Sequence, residues 1–364
     1  LFLERAMQLV KPGGRIGLVL PAGIASDAGT APLRHHLFER AEVDEISGFD
    51  NRAGIFSIHR SVRFVLLTCT TGRPTNQVRC RFGMTDPDEL ETADSSARAP
   101  LVLTRRLLAR LSGNEDLGIP EFLGEADLRL CERISAAVPM LSSAAGWGVQ
   151  FGRELNASDD RDAFVPFSRD RWARPIVEGK QIEPFRVALD RARYELRADC
   201  DVRARAPRRA RLAYRDVASA TNRLTLIAAV LPPRAVTTHT LFCLKTPLPD
   251  SAQHVLCALM NSYVANYLIR FRVNTHVTVA LVSRLPVPLL SPDDREFSRL
   301  LSLVRSLASG AGPVEESNAY ADIQAIAAHL YGLGAADFEH VLATFPLIPR
   351  ETKTRVLAFF NGYL

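Results

Sequence analysis

The apolar positions near the start of the chain predict a helix followed by a buried strand. Apolar residues between Leu1 and Val10 are spaced roughly as on one helix face, and Lys11-Pro12-Gly13-Gly14 ends that helix because proline cannot continue it. Residues 15–20 then form an apolar run without alternation, which is typical of a strand covered on both faces in a parallel sheet. Such a strand needs parallel neighbours, so we expect earlier strands in residues that this chain lacks or in another polypeptide.

The following pattern predicts a helix and a strand hairpin. Residues 31–40 have helical character, with a proline near the first turn. Residues 43–49 and 61–70 are apolar enough for two strands, and the polar sequence Asp50-Asn51-Arg52-Ala53-Gly54 predicts the turn between them. We expect this hairpin at an edge of the sheet.

This order of elements, with Gly54-Ile55-Phe56 before the last strand, resembles the end of the catalytic domain of S-adenosylmethionine-dependent methyltransferases. In particular it is similar to the adenine-specific DNA methyltransferases of restriction-modification systems. The resemblance implies that Phe56 stacks on the base extruded from the duplex. It also implies S-adenosylmethionine as cofactor and double-stranded DNA as partner. The alternative for Phe56 is a core position, which is usual for a phenylalanine before an edge strand.

Four ordered motifs further along resemble the TaqI-type specificity domain of the same enzymes. The resemblance covers about residues 1–290 and implies that the later part of the chain recognises the DNA target. The motifs are Gly146-Trp147-Gly148-Val149, the run from Pro175 to Ile182, the run from Tyr214 to Ala229 and Leu259-Met260-Asn261-Ser262.

Several polar side chains in and near these motifs are candidates for DNA contact. Arginine can bind guanine or phosphate in a bidentate manner, asparagine can bind adenine, and threonine can reach phosphate. In each case the alternative is a local structural role, such as anchoring a strand or capping a turn. The candidates are Lys180, Gln181, Tyr214, Arg215, Thr221, Asn222, Arg223, Asn274 and His276.

Charge and composition agree with a protein that binds a polyanion. The net charge is +5, and between Arg186 and Arg223 there are 11 arginines against 5 acidic residues, a local excess of 11 − 5 = 6. Codon bias of a GC-rich genome is an alternative explanation for the many arginines. The 6 cysteines have no paired spacing, which predicts neither a zinc site nor disulfides and favours a cytoplasmic location. No apolar run reaches the length of about 20 residues that a membrane span needs.

The patterns divide the chain into four regions. The predicted fold is α/β: a partial Rossmann-like methyltransferase domain, followed by a mixed α+β specificity domain and C-terminal helices. The predicted boundaries are 1–85 for the end of the catalytic domain, 86–145 for a linker with helices, 146–290 for the target-recognition domain and 291–364 for the helical region.

The sequence lacks two features that adenine methylation requires. It has neither a Gly-rich turn after a first strand, which would hold the cofactor, nor an Asn-Pro-Pro-Tyr loop, which would orient the exocyclic amine. We therefore expect the C-terminal part of such an enzyme, inactive alone and dependent on an N-terminal catalytic region in cis or in trans. The alternatives are a non-catalytic DNA-binding specificity subunit and an unrelated doubly wound enzyme with an appended helical domain.

Overall fold

A computed structural model describes residues 1–91, 99–170, 173–197, 208–219, 221–273 and 275–363. The chain forms two compact units, Leu1–Ala136 and Ala137–Leu364. The predicted division into four regions differs from this division into two units. The stretch 86–145 contributes a strand to the sheet of the first unit, and the helices after residue 290 pack into the second unit.

The first unit contains a mixed five-stranded sheet in the order β1-β3-β2-β4-β5. Strand β3 is antiparallel to both of its neighbours, β2 and β4 are parallel, and β4 and β5 are antiparallel. The elements of this unit are α1 (Phe2–Leu9), β1 (Arg15–Pro21), α2 (Gly23–Ser26), α3 (Ala31–Arg40), β2 (Ala41–Asp50), β3 (Arg63–Thr71), β4 (Gln77–Met84), β5 (Leu101–Thr104), α4 (Arg105–Ser112) and α5 (Glu125–Ala137).

Strand β1 pairs antiparallel with β3 and alternates between buried and accessible positions in the described residues. Its parallel neighbours were expected outside this chain, so that expectation stays a prediction. The position expected for the hairpin is wrong. The β2–β3 hairpin exists, but it lies inside the sheet because β4 and β5 extend the sheet beyond β2. Strand β4, which was not expected, follows a short turn after β3.

The strands of the second unit form a four-stranded antiparallel sheet, in the order β13-β12-β15-β6, and three two-stranded pairs. Here the strands are β6 (Phe151–Gly152), β7 (Phe164–Pro166), β8 (Ile176–Val177), β9 (Ile182–Glu183), β10 (Arg186–Val187), β11 (Tyr194–Leu196), β12 (Arg211–Arg215), β13 (Ala228–Leu231), β14 (Val236–Thr237) and β15 (Leu241–Leu244). The pairs are β9–β10, β7–β11 and β8–β14.

Helices cover this sheet and continue to the end of the described chain. They are α6 (Asp250–Met260), α7 (Tyr263–Arg270), α8 (Val279–Ser283), α9 (Arg295–Ser309), α10 (Asn318–Leu330), α11 (Ala335–Ala343) and α12 (Arg350–Asn361). Helix α6 packs against β12, β13, α9 and α10. A buried amide joins α10 to α7, because Gln324 Oε1 accepts a hydrogen bond of 2.6 Å from the backbone N–H of Tyr263. The last helices and the sheet therefore share one core.

Helices α6 and α7 are separated by Asn261 and Ser262. Ser262 caps α7 by accepting a hydrogen bond from Ala265 N, while the Asn261 amide bonds both backbone groups of Ala228 on β13. A second amide, that of Asn266, binds the backbone N–H groups of Thr225 and Leu226. The two asparagines therefore satisfy buried backbone groups of the segment that leads into β13.

Candidate nucleic-acid interface

The loop between β2 and β3, residues 51–62, is organised around one buried amide. Asn51 Oδ1 accepts a hydrogen bond of 2.9 Å from Phe56 N, and Asn51 Nδ2 donates to the carbonyls of Phe56 (3.1 Å) and Ile58 (3.3 Å). Gly54 has a φ of +82°, which favours glycine, and its missing Cβ lets the Arg60 guanidinium lie close to the backbone. Asn51 belongs to the sequence-predicted turn, but its role in holding Phe56 was not predicted.

This loop presents apolar and basic side chains together. Phe56 is 42% exposed and Ile58 50% exposed, while one side of the Phe56 ring packs edge-on against Phe64 with 4.9 Å between centroids. Arg60 Nη1 donates a hydrogen bond of 2.8 Å to the carbonyl of Arg52, which keeps two arginines in the same loop. The arrangement is intermediate between the two alternatives for Phe56, because the ring is anchored in part and accessible in part. An accessible aromatic face beside cations can stack on a nucleobase.

In the second unit, backbone pairing brings two distant candidate segments together. Val217 and His276 form an antiparallel bridge, and Val277 N donates a hydrogen bond of 2.7 Å to the carbonyl of Asp216. The buried carboxylate of Asp216 lies 3.3 Å from Arg153 Nη2 and 3.3 Å from His276 Nδ1. His276 is thereby placed beside the end of β12, whereas Asn274 lies outside the described residues.

Arg270 holds the loop that carries Thr221, Asn222 and Arg223. Its guanidinium donates to the carbonyl of Asn222, and to that of Arg223 at 2.8 Å, while it stacks 3.9 Å from the ring centroid of Phe345. Burial lowers the pKa of Arg270 to about 10, which still leaves it charged at neutral pH. The exposed guanidinium of Arg223 forms an ion pair with Glu315. The structure therefore fixes the backbone of this loop and leaves its side chains near the surface.

Arg215, Thr221, Asn222 and Arg223 all line one cavity of about 900 Å³. Lys180 is carried on a neighbouring turn, because Thr240 accepts hydrogen bonds from both Gly179 N (2.9 Å) and Asp216 N (3.0 Å). The amine of Lys180 lies 2.7 Å from Glu178 and is half exposed. Apart from the buried residues below and Asn274, the expected DNA-contacting side chains thus gather at the end of β12 and its adjoining loops.

Two of the candidate side chains, Tyr214 and Gln181, are buried in the structure and not at the surface where the expected DNA contact would place them. The ring of Tyr214 is 0% exposed and packs between Phe151 and Phe242. Gln181 belongs to a capping box, in which its Oε1 accepts a hydrogen bond of 2.7 Å from Glu178 N. Both are polar residue types that occur in the interior of a fold as well as at its surface. Residue type alone therefore did not distinguish a buried side chain from an exposed one.

Part of the local arginine excess is also structural. Arg211 is buried and forms two hydrogen bonds with Glu154, Nε to Oε1 at 2.6 Å and Nη2 to Oε2 at 2.7 Å. Arg186 donates to the carbonyls of Leu307 (2.7 Å) and Gly312 (2.5 Å). These two cations stabilise the fold, so the count of 11 arginines overstates the positive charge available to DNA.

The Gly13-Gly14 turn does not fit a cofactor-binding loop. In doubly wound folds the nucleotide binds at the carboxyl ends of the strands, whereas this turn precedes β1. Its backbone is also engaged with the end of β3, since Gly13 N donates to Thr71 O at 2.8 Å and Gly14 O accepts from Thr71 N at 3.0 Å. The residues present here therefore do not suit S-adenosylmethionine.

Among the described residues, no three His, Cys, Asp or Glu side chains are grouped so that they could hold a metal ion. The described cysteines are buried, and burial raises the pKa of the Cys69 thiol to about 11 and that of Cys243 to about 12. No described helix combines the length and the apolar character that crossing a membrane requires.

Comparison with known proteins identifies a fold that this chain shares with a solved structure. No protein-family model and no curated protein matches the chain. Among solved structures it is similar to the type IIL restriction-modification enzyme MmeI in complex with DNA, with a TM-score of 0.54 and 10% identity over 100% of this chain and 51% of that one. The chain thus spans about half the length of MmeI and shares the fold of that part of a restriction-modification enzyme.

Two further solved structures show weaker similarity. The type ISP restriction-modification enzyme LlaBIII bound to DNA has a TM-score of 0.46 and 9% identity, over 84% of this chain and 26% of that one. The type IIG restriction endonuclease BpuSI has a TM-score of 0.40 and 10% identity, over 99% and 49%.

Proposed function

We propose that the chain is the C-terminal part of a site-specific, adenine-specific DNA methyltransferase of restriction-modification type, and that its second unit recognises the DNA target. The observation that carries this proposal is the loop 51–62, in which a buried amide holds a partly exposed aromatic ring beside two arginines. The fold shared with MmeI along the whole chain supports it.

The role of this loop follows from the chemistry of base modification. An enzyme that modifies a base within a duplex must extrude it, at a cost of about a few kcal/mol, and an aromatic face offsets part of the lost stacking. The backbone hydrogen bonds from Asn51 to Phe56 keep the ring in place, so little ordering entropy is lost when a base arrives. Arg60 can neutralise a neighbouring phosphate, whereas Arg52 already forms an ion pair with Asp50.

The second unit supplies candidate contacts of the types that read and position DNA. Arg215, Arg223 and Asn222 can contact phosphate or base edges, and Thr221 and His276 add further donors. Arg270 and the Val217–His276 bridge fix the loops that carry these groups. Rigid loops lower the entropy cost of a specific contact, which suits a target-recognition surface.

The first unit also offers a surface for the catalytic region that we propose in cis or in trans. Val19 on β1 is exposed, and α1 exposes the large apolar side chains of Phe2 and Leu9. In the described part of the chain, β1 has a strand partner on one side alone. An unpaired edge with exposed apolar residues beside it suits the addition of further strands. That region would carry the residues that hold S-adenosylmethionine and orient the adenine amine.

A second candidate function is a DNA-binding specificity subunit without catalysis. It is favoured by the structure of the Gly13-Gly14 turn, whose backbone groups are engaged with β3, and by the gathering of candidate DNA contacts in the second unit. Expression of the chain together with the coding region upstream of it separates the two. Transfer of labelled methyl groups, followed by digestion to nucleosides, yields N6-methyladenine under the first proposal and no methylated base under the second.

We expect purified residues 1–364 neither to bind S-adenosylmethionine appreciably nor to methylate DNA, because the Gly13-Gly14 turn does not suit the cofactor. Titration calorimetry measures the first, and transfer of a labelled methyl group to mixed DNA measures the second. The same assay with an active DNA methyltransferase serves as control. Robust methyl transfer by this chain alone would show that the division of labour proposed above is wrong.

We expect the same chain to bind duplex DNA with an affinity that falls steeply as salt rises. Neutralising Z phosphates gives a slope of about −0.9Z for log affinity against log salt. Fluorescence anisotropy between low and physiological salt measures this slope. Arg223→Gln should make it shallower by about one unit if Arg223 contacts a phosphate, while Arg191→Gln, in the exposed pair with Glu183, serves as the control. A flat salt response would contradict DNA recognition by this unit.

A further inference from the structure

The cavity at the end of β12 contains a cation without a counter-ion. Arg215 Nε is buried with no hydrogen-bond partner, and no carboxylate in the described ranges forms an ion pair with this guanidinium. Its Cγ and Cδ pass over Gly179, where a Cβ would lie 3.1 and 3.2 Å from them. Burial lowers the pKa of Arg215 without an acidic neighbour to raise it again. A buried guanidinium N–H without a hydrogen-bond partner is costly, which indicates that an anion completes the site.

The other charged groups around the cavity leave it positive. Arg223 is neutralised by its ion pair with Glu315. Arg186 donates to the backbone carbonyls of Leu307 and Gly312, and no carboxylate among the described residues forms an ion pair with it. Glu183 lies 3.9 Å from Arg191, which is not a lining residue. An anionic ligand therefore meets Arg215, and the charge of Arg186 adds to the positive potential of the cavity while its N–H groups remain bound to the two carbonyls.

The volume and the lining of the cavity favour an organic anion over an inorganic ion such as phosphate. A volume of about 900 Å³ is far larger than a phosphate needs and is of the size that small organic ligands occupy. Glu315 Oε2 is a buried acceptor without a partner, which an amine or hydroxyl of the ligand can satisfy. Much of the lining is apolar and can pack against a sugar or a base, through Ile182, Pro184, Leu224, Ile227, Val314 and Leu347.

We infer that this cavity binds a nucleotide, with Arg215 on the phosphate and the base or sugar against the apolar wall. The inference goes beyond the proposed function, because a nucleotide can bind here whether or not the chain methylates DNA or reads a sequence. The phosphate has two sources, a free nucleotide and a nucleotide within DNA. Both present the same group to Arg215.

The test is titration calorimetry of residues 1–364 with deoxyadenosine monophosphate, deoxyadenosine and inorganic phosphate. We expect the nucleotide to bind more tightly than either fragment. Arg215→Gln should weaken nucleotide binding by about tenfold or more, because a charge-assisted hydrogen bond is lost. Arg129→Gln removes one exposed positive charge whose partner, Glu125, does not line the cavity, and should leave the affinity unchanged. Competition with a short duplex identifies the source, since displacement of the nucleotide indicates DNA and its absence indicates a free nucleotide.

A second variant, at Leu347, tests the same cavity independently of whether Arg215→Gln folds. Leu347 is 58% exposed, so Leu347→Asp should fold normally, place a negative charge at the cavity and weaken nucleotide binding. Melting temperatures of all variants are measured beside the affinities. The inference is overturned if the nucleotide does not bind at millimolar concentration, if inorganic phosphate binds equally well, or if Arg129→Gln weakens binding as much as Arg215→Gln.

Discussion

Replacing Arg211 by alanine is expected to lower the free energy of unfolding of the second unit by about 3–5 kcal/mol, the usual effect of removing one partner of a buried ion pair. The loss is large because Glu154 would remain buried without its two hydrogen bonds from Arg211. The carbonyl of Ala235, which accepts from Arg211 at 2.6 Å, would also lose its donor. Urea unfolding followed by tryptophan fluorescence reports on this unit, because both tryptophans, Trp147 and Trp172, lie after residue 136.

Two controls separate the buried pair from a general loss of charge. Arg191→Ala removes an exposed cation 3.9 Å from Glu183 and should change stability by less than about 1 kcal/mol. The double variant Arg211→Met with Glu154→Leu should recover the part of the loss that comes from the unpaired charge of Glu154, because apolar residues can replace a buried pair, but not the part that comes from Ala235 O and Thr237 N, which lose their partners. Equal effects of Arg211→Ala and Arg191→Ala would contradict the structural role of Arg211.

The pair also has a predictable pH dependence. Burial raises the pKa of Glu154, but the hydrogen bonds and charge of Arg211, with the hydrogen bonds from Thr237, more than offset this and hold the pKa below its ordinary value of 4.5. Because the folded pKa is depressed, the contribution of Glu154 is complete above about pH 4.5 and is lost as the pH falls through the folded pKa. The stability of the wild-type chain should therefore fall more in acid than that of the double variant.

Local pattern predicted the elements of the first unit better than their neighbours. The helix at Ala31–Arg40 is confirmed, and the two hairpin strands agree with prediction within about two residues at each end. The antiparallel pairing of β1 with β3 was not predicted, because an apolar run predicts burial without identifying the partner strand. In the structure Ile16 is buried and Val19 is exposed, as expected for one covered face. Strand order depends on long-range pairing, which periodicity does not contain.

For the candidate site, residue type predicted the region but not the exposure of each side chain. Arg215 and the Thr221–Arg223 loop do line one cavity, while Tyr214 and Gln181 lie inside the fold. Buried backbone groups need polar partners, so amides and hydroxyls occur both in the interior and on binding surfaces. The orientation of a strand decides whether a given side chain is buried or exposed, and a single sequence does not contain that orientation. Asn51 was missed for the same reason.

In an enzyme that joins this chain to the proposed catalytic region, Phe56→Ala is expected to slow methylation by about 5- to 150-fold. The estimate takes about 1–3 kcal/mol for stacking of a base on an aromatic side chain. The effect on stability should be modest, because the ring is 42% exposed and its contact with Phe64 is an edge contact. The measurement is the single-turnover rate of methyl transfer beside the melting temperature. Phe56→Trp should retain much of the rate, since stacking needs a π face more than a particular ring.

Ile58→Ala is the matched control for this prediction. Ile58 is apolar, exposed and carried on the same loop, and its carbonyl is bound by the same Asn51 amide. It offers no π face, so its removal should change the rate much less than Phe56→Ala does. Asn51→Ala leaves Phe56 in the sequence but releases the backbone that holds it, and should therefore also slow methylation. If Phe56 were a packing residue alone, its alanine variant would melt several degrees lower and methylate at an unchanged rate at low temperature, which would exclude the base-stacking role.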